Sequence, residues 1–244
     1  MKDICIAFWA EYMKTRKSKI FFATLIVFTF IPLMIGLMLF VSRNPEIAGK
    51  LGMVGTKAKM FGENDWLGYF SLLNQSIASV GFIGFGFVTS WVFGREHIDR
   101  TLKDILALPI GRSFIVLAKL ISVVFWCITL SIVLYLNGIL LGLAMNIPGW
   151  SVTLLSNFSY SFFSTVLLTL LLCTPISWLT GYSRGIIAPL GFVIFTMIVA
   201  QFIGLIGLGP YFPWSIPGLH SITKDTQGLH LNLSSYFIYR IVSA

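Results

Sequence analysis

Five long apolar runs constrain this chain more than any other feature. Ile20 to Ser42 is 23 residues without a charge. A helix rises about 1.5 Å per residue, so a run of that length crosses a hydrocarbon core of about 30 Å. Tyr69–Gly94, Phe114–Met145, Val152–Thr180 and Ile186–Leu208 follow at short intervals. Only 11% of the residues are charged, against roughly 25% in soluble domains, which leaves too little polar surface to coat a water-facing globule. The 15% aromatic content excludes a chain that stays solvated and unfolded. The expectation is an all-α, polytopic membrane helix bundle forming a single domain over 1–244, with spans at 20–42, 69–94, 114–145, 152–180 and 186–208.

The ends of the chain need separate treatment. The basic stretch before Ile20 is long, and the run exceeds the usual 7–15-residue core of a secretion signal, so the first span reads as an anchor rather than a cleaved leader. Residues 209–230 hold Pro210, Pro213 and Pro217, which no continuous helix accommodates. The aromatic groups there suit an interfacial or re-entrant extracytoplasmic segment. Leu231 to Ala244 is 14 residues, about 21 Å as a helix, and reads as a partial sixth span.

Lys and Arg fix the expected orientation. The N-terminal tail, the 95–112 loop with Lys119, and Arg184 hold eleven basic residues, and the opposite faces hold five. That asymmetry places the N-terminus in the cytoplasm. The net charge of +8 collects beside apolar runs, a pattern that meets anionic membrane lipids and not nucleic acid. Lys119, near the start of the long third run, is expected to snorkel towards the interface.

Absences narrow the function. The five runs contain no Asp, Glu or His, the groups that proton- or sodium-coupled carriers and intramembrane hydrolases need in the bilayer. No Walker A sequence is present, and Cys5, Cys127 and Cys173 form neither a disulfide framework nor a zinc spacing. No catalytic, cofactor-binding or metal-ligating residues are assigned. Gly138 and Gly142 have the small-xxx-small spacing of a helix contact. Asn74, Gln75 and Ser79 in span two and Gln201 in span five are polar groups inside apolar runs. They could line a substrate path or bond neighbouring helices.

The segment 95–112 is the most informative. Ile98, Leu102, Ile105 and Leu106 share one helical face, while Glu96 with Arg100, Asp99 with Lys103 and Arg100 with Asp104 are opposite charges four apart. Pro109 ends the pattern. A short amphipathic helix is expected. It could rest in the headgroup layer or dock on a soluble partner, and its mixed charges suit docking.

Trp91-Val92-Phe93-Gly94-Arg95-Glu96, Arg100-Thr101-Leu102-Lys103, Leu106 to Arg112 and Leu117-Ala118-Lys119 together resemble permeases of the ABC-2 type, in the bacitracin and lantibiotic export or immunity branch. Pro213-Trp214-Ser215-Ile216-Pro217-Gly218 is similar to the same branch. The resemblance implies a six-span half-transporter in a prokaryotic plasma membrane that does no covalent chemistry itself. Two permease copies, identical or paralogous, would work with separate ATP-binding-cassette ATPase subunits. Glu96, Arg100, Thr101, Leu102, Leu106 and Pro109 fall in its coupling-helix motif. Ile4, Phe8, Trp9 and Tyr12 fit an interfacial N-terminal helix. Export of a peptide antibiotic or another amphipathic compound is the implied activity. The rival reading is a non-transporting immunity or scaffold protein that binds a toxin or lipid.

Overall fold

In a computed structural model of the protein, residues 2–50, 65–101 and 111–222 are described. Every regular element among them is helical. Helix α1 is Lys2–Arg16, α2 is Lys19–Arg43, and a six-residue α3 follows at Pro45–Lys50. Trp66–Ser76 forms α4, a π-helical turn covers Ile77–Gly81, and α5 continues over Phe82–Ile98. The longest helix, α6, is Arg112–Ala144, 33 residues. Val152–Leu171 (α7) and Thr174–Ser183 (α8) share one span, and Ile187–Leu205 is α9. Two single 3-10 turns, Gly209–Tyr211 and Pro213–Ser215, lead to the short α10 at Ile216–Ile222.

Five of these stretches are long and apolar enough to cross a bilayer: Lys19–Arg43, Trp66–Ile98, Arg112–Ala144, Val152–Ser183 and Ile187–Leu205. They coincide with the five apolar runs, but the helices do not stop where the runs stop. Span two extends four residues past Gly94, so Arg95 and Glu96 belong to its last turn. The expected partial sixth span at 231–244 lies outside the described residues, as do residues 51–64.

Local chemistry starts the helices. Ser18, Asp65 and Ser151 are extended residues whose side chains accept the amide protons of Ile20, Gly68 and Leu154, at 3.2, 2.8 and 3.3 Å. Each satisfies one of the donors that a helix start leaves orphaned.

Packing then orders the spans. Gly142 lets Trp66 approach to 2.6 Å, and Gly138 lets Leu73 approach to 2.8 Å, of where a Cβ would stand. The small-xxx-small pair is therefore a contact between spans two and three. The Tyr69 hydroxyl donates to the Gly138 carbonyl at 2.9 Å across the same seam. The Trp126 indole donates to Thr24 Oγ1 at 3.1 Å, joining spans three and one. With lipid as the outer solvent, such close contacts and interhelical hydrogen bonds carry the association that water-driven burial supplies elsewhere. Phe70 and Phe158 stack at 4.1 Å between span two and α7.

The π turn has a visible cause. Leu73, Ile77 and Phe85 are each fully buried and Gly81 lies buried between them, so four inward positions follow at steps of four. A straight α-helix would drift by about 40° at each such step. The wider π winding absorbs the drift and keeps the positions on one side.

Candidate functional site

Two polar sites stand in opposite halves of span two. The first joins α1, the end of α5 and the start of α6. Glu11 on α1 forms an ion pair with Arg95, and Lys14 Nζ reaches the other Glu11 oxygen at 2.9 Å. Glu96 meets Lys119 Nζ at 2.6 Å and Lys14 Nζ at 3.6 Å. Lys119 also donates to the Val92 carbonyl at 3.4 Å and lies 5.6 Å above the Phe93 ring. Three cations thus face two carboxylates, and of the five only Lys14 reaches solvent, its side chain 43% exposed.

This arrangement corrects two expectations. Lys119 does not snorkel outward; Glu96 draws its ammonium into the bundle, where an unpaired charge would be costly. Glu96 is not the i,i+4 partner of Arg100 on one continuous amphipathic helix over 95–112. The helix ends at Ile98, and Arg100 takes a left-handed conformation with φ of 57°. The Thr101 amide then donates back to the Glu96 carbonyl at 3.1 Å, the six-to-one bond of a Schellman cap. An arginine in that conformation costs about 1 kcal/mol relative to glycine. Leu102, Leu106 and Pro109 lie outside the described residues, so of the six motif positions Glu96 is buried and Arg100 and Thr101 form the cap.

Helix α1 presents an unexpected face. Glu11 and Thr15 are buried against the bundle, while Trp9 is 63% exposed and Ile6 points outward too. Phe8 and Tyr12 are half-buried, with the Tyr12 ring edge-on to Phe125 of α6 at 5.9 Å. Sequence reasoning missed Glu11. Its signal was present: it is the only carboxylate between Asp3 and Glu46, in a stretch holding Lys14, Arg16, Lys17 and Lys19.

The second site is a cavity of about 380 Å³ between the π turn of span two, the end of α9 and the segment around Trp214. Gln75, Ser79 and Gln201 all line it, with Phe82, Trp214 and Ser215. Three of the four polar positions singled out in the spans are thereby brought together. The fourth is not. Asn74 turns the other way, donating to Ser161 Oγ at 2.9 Å and to the Ser221 carbonyl at 3.4 Å. The Trp214 indole N–H is buried in the cavity region without a hydrogen-bond partner among the described residues. Among the described residues no charged side chain lines the chamber.

Of the remaining candidates, His220 Nδ1 lies 3.2 Å from Thr165 Oγ1, and Cys127 and Cys173 are buried free thiols. Among the described residues no group of His, Cys, Asp and Glu is arranged to hold a metal.

The five apolar spans and their glycine-mediated seams define a multi-pass helical membrane protein. Residues 7–200 match the model of a family described as ABC-2 family transporter protein. The chain belongs to that family. Over 131 residues it is 26% identical to the bacitracin transport permease protein BCRB of Bacillus licheniformis, a stretch covering 54% of this chain and 63% of that relative. The match thus spans less than two thirds of the relative's length. No solved structure matches the chain.

Proposed function

We propose that the chain is the permease subunit of an ATP-driven transporter. Its N-terminus and the 95–112 segment face the cytoplasm of a prokaryote, and a second permease copy completes the path. Separate ATP-binding-cassette subunits dock on residues 102–110 and supply the energy. The observation that carries this reading is the continuity of span two. The same rod lines the cavity with Gln75 and Ser79 and carries Glu96 in its last turn, one cap before the docking segment. Displacement at that end tilts the rod and changes access to the chamber, while Lys119 carries the movement into span three.

The cavity supports a cargo with both apolar and neutral hydrogen-bonding surface. Glutamine amides, serine hydroxyls and the Trp214 indole N–H stand beside Phe82, and among the described residues no charged side chain joins them. A peptide antibiotic of the bacitracin kind, the cargo named for the Bacillus relative, fits that chemistry and makes export the proposed activity.

The test is whether the detergent-solubilised permease, produced together with the ATP-binding-cassette subunits of its own source, captures one of them. Leu102→Asp with Leu106→Asp is expected to abolish capture while leaving the permease folded. Full-stoichiometry capture by the double variant removes the docking role. No capture by the unaltered chain returns the protein to a non-transporting immunity or scaffold role.

A further inference from the structure

We infer that Glu11 and Arg95 are positioning residues that lock the N-terminal helix to the end of span two, making α1 a moving part of the transmission and not a passive anchor. The inference rests on the permease reading only for what drives the movement. The lock itself is a property of the chain.

The geometry supports it in three ways. Helix α1 packs mainly along α6, with Tyr12 against Phe125, and it reaches α5 through charge, Glu11 to Arg95 and Lys14 to Glu96. Both partners of the first pair are almost fully buried, so the contact has one well-defined geometry and little water to loosen it. The pair also falls five residues before the Arg100 cap, where α5 gives way to residues 102–110. A push arriving there reaches Arg95 before it reaches the membrane interior. Arg95 hands it to α1, and Glu96 hands it to α6 through Lys119. Two adjacent residues thereby split one input between two helices. The exposed Ile6 and Trp9 of α1 face outward, so a tilt of α1 is opposed by lipid and not by packed protein.

Spin labels at Trp9→Cys and Ile98→Cys, in the full chain with Cys5→Ser, read the α1 to α5 separation directly. Cys127 and Cys173 are buried and react slowly. The unaltered pair is expected to give one narrow distance distribution. Glu11→Gln is expected to broaden it, and Glu11→Arg with Arg95→Glu to restore the narrow peak. A distribution left narrow by Glu11→Gln overturns the lock. Should Glu11→Gln fail to fold, the exchanged pair decides alone, a narrow peak supporting the inference and a broad one overturning it. Capture of the ATPase subunit is measured on the same samples. Loss of capture by the unaltered chain with the distance results intact sinks the permease reading and leaves the lock standing, whereas intact capture with an insensitive distance does the reverse.

Discussion

The two halves of span two solve the problem of polar atoms in an apolar bundle in opposite ways. In one half five charged side chains converge from three helices, and all but Lys14 are closed off from solvent. In the other, Gln75, Ser79 and Gln201 are neutral, stand around open volume, and leave the Trp214 N–H unpartnered among the described residues. Buried charges tolerate little displacement, because each ion loses its compensation as the pair separates. Neutral amides and hydroxyls exchange partners at lower cost, whether the partner is water, lipid or a guest. The charged site is thus built to keep its shape while it moves, and the neutral site to accept something that comes and goes.

The comparison breaks most readily at Glu96. Glu96→Ala strands Lys119 among apolar groups and is expected to cost about 3–5 kcal/mol, read as a drop in the detergent unfolding midpoint. The double change Glu96→Leu with Lys119→Met is expected to recover most of that loss, because both charges leave together. A single variant as stable as the parent would mean that the joint carries no desolvated charge. An intermediate effect is expected at Asn74, which belongs to neither site. Asn74→Ala removes the bond to Ser161 and should cost about 1 kcal/mol in the same assay. The smallest stability change is expected at the cavity. Gln75→Ala with Gln201→Ala should stay within about 0.5 kcal/mol yet, on the proposed export role, lower the bacitracin tolerance of cells producing the chain. Unchanged tolerance would separate the chamber from the cargo path.

Much of the fold is legible in the sequence because hydrophobic length is a local property. Ile20–Ser42 announces a span without reference to any other residue, and Gly138 with Gly142 announces a seam. The charged joint is not legible in this way. Arg95 and Glu11 are 84 positions apart, and nothing near Glu11 names its partner. The 95–112 pattern shows how local evidence is overruled. Glu96 with Arg100 and Asp99 with Lys103 have the spacing that extends a helix, but Glu96 and Arg95 are claimed by Lys119 and Glu11, and the chain turns at Arg100 instead. The cavity is an intermediate case. Gln75 and Ser79 lie four apart and share a face by arithmetic, while the arrival of Gln201 beside them depends on how α9 packs. That Asn74, next to Gln75, faces elsewhere follows from the roughly 100° turn between neighbouring residues on a helix.

The wide π turn at Ile77–Gly81 has a consequence for both sites at once. It acts as a phase corrector, holding the two halves of one rod in azimuthal register. Rewinding 77–81 as ordinary α-helix without removing a residue would swing the rest of the rod by about the 100° that one residue spans, carrying Arg95 and Glu96 away from Glu11 and Lys119. A local irregularity in the backbone thus sets the timing mark by which a distant ionic coupling meets its counterparts.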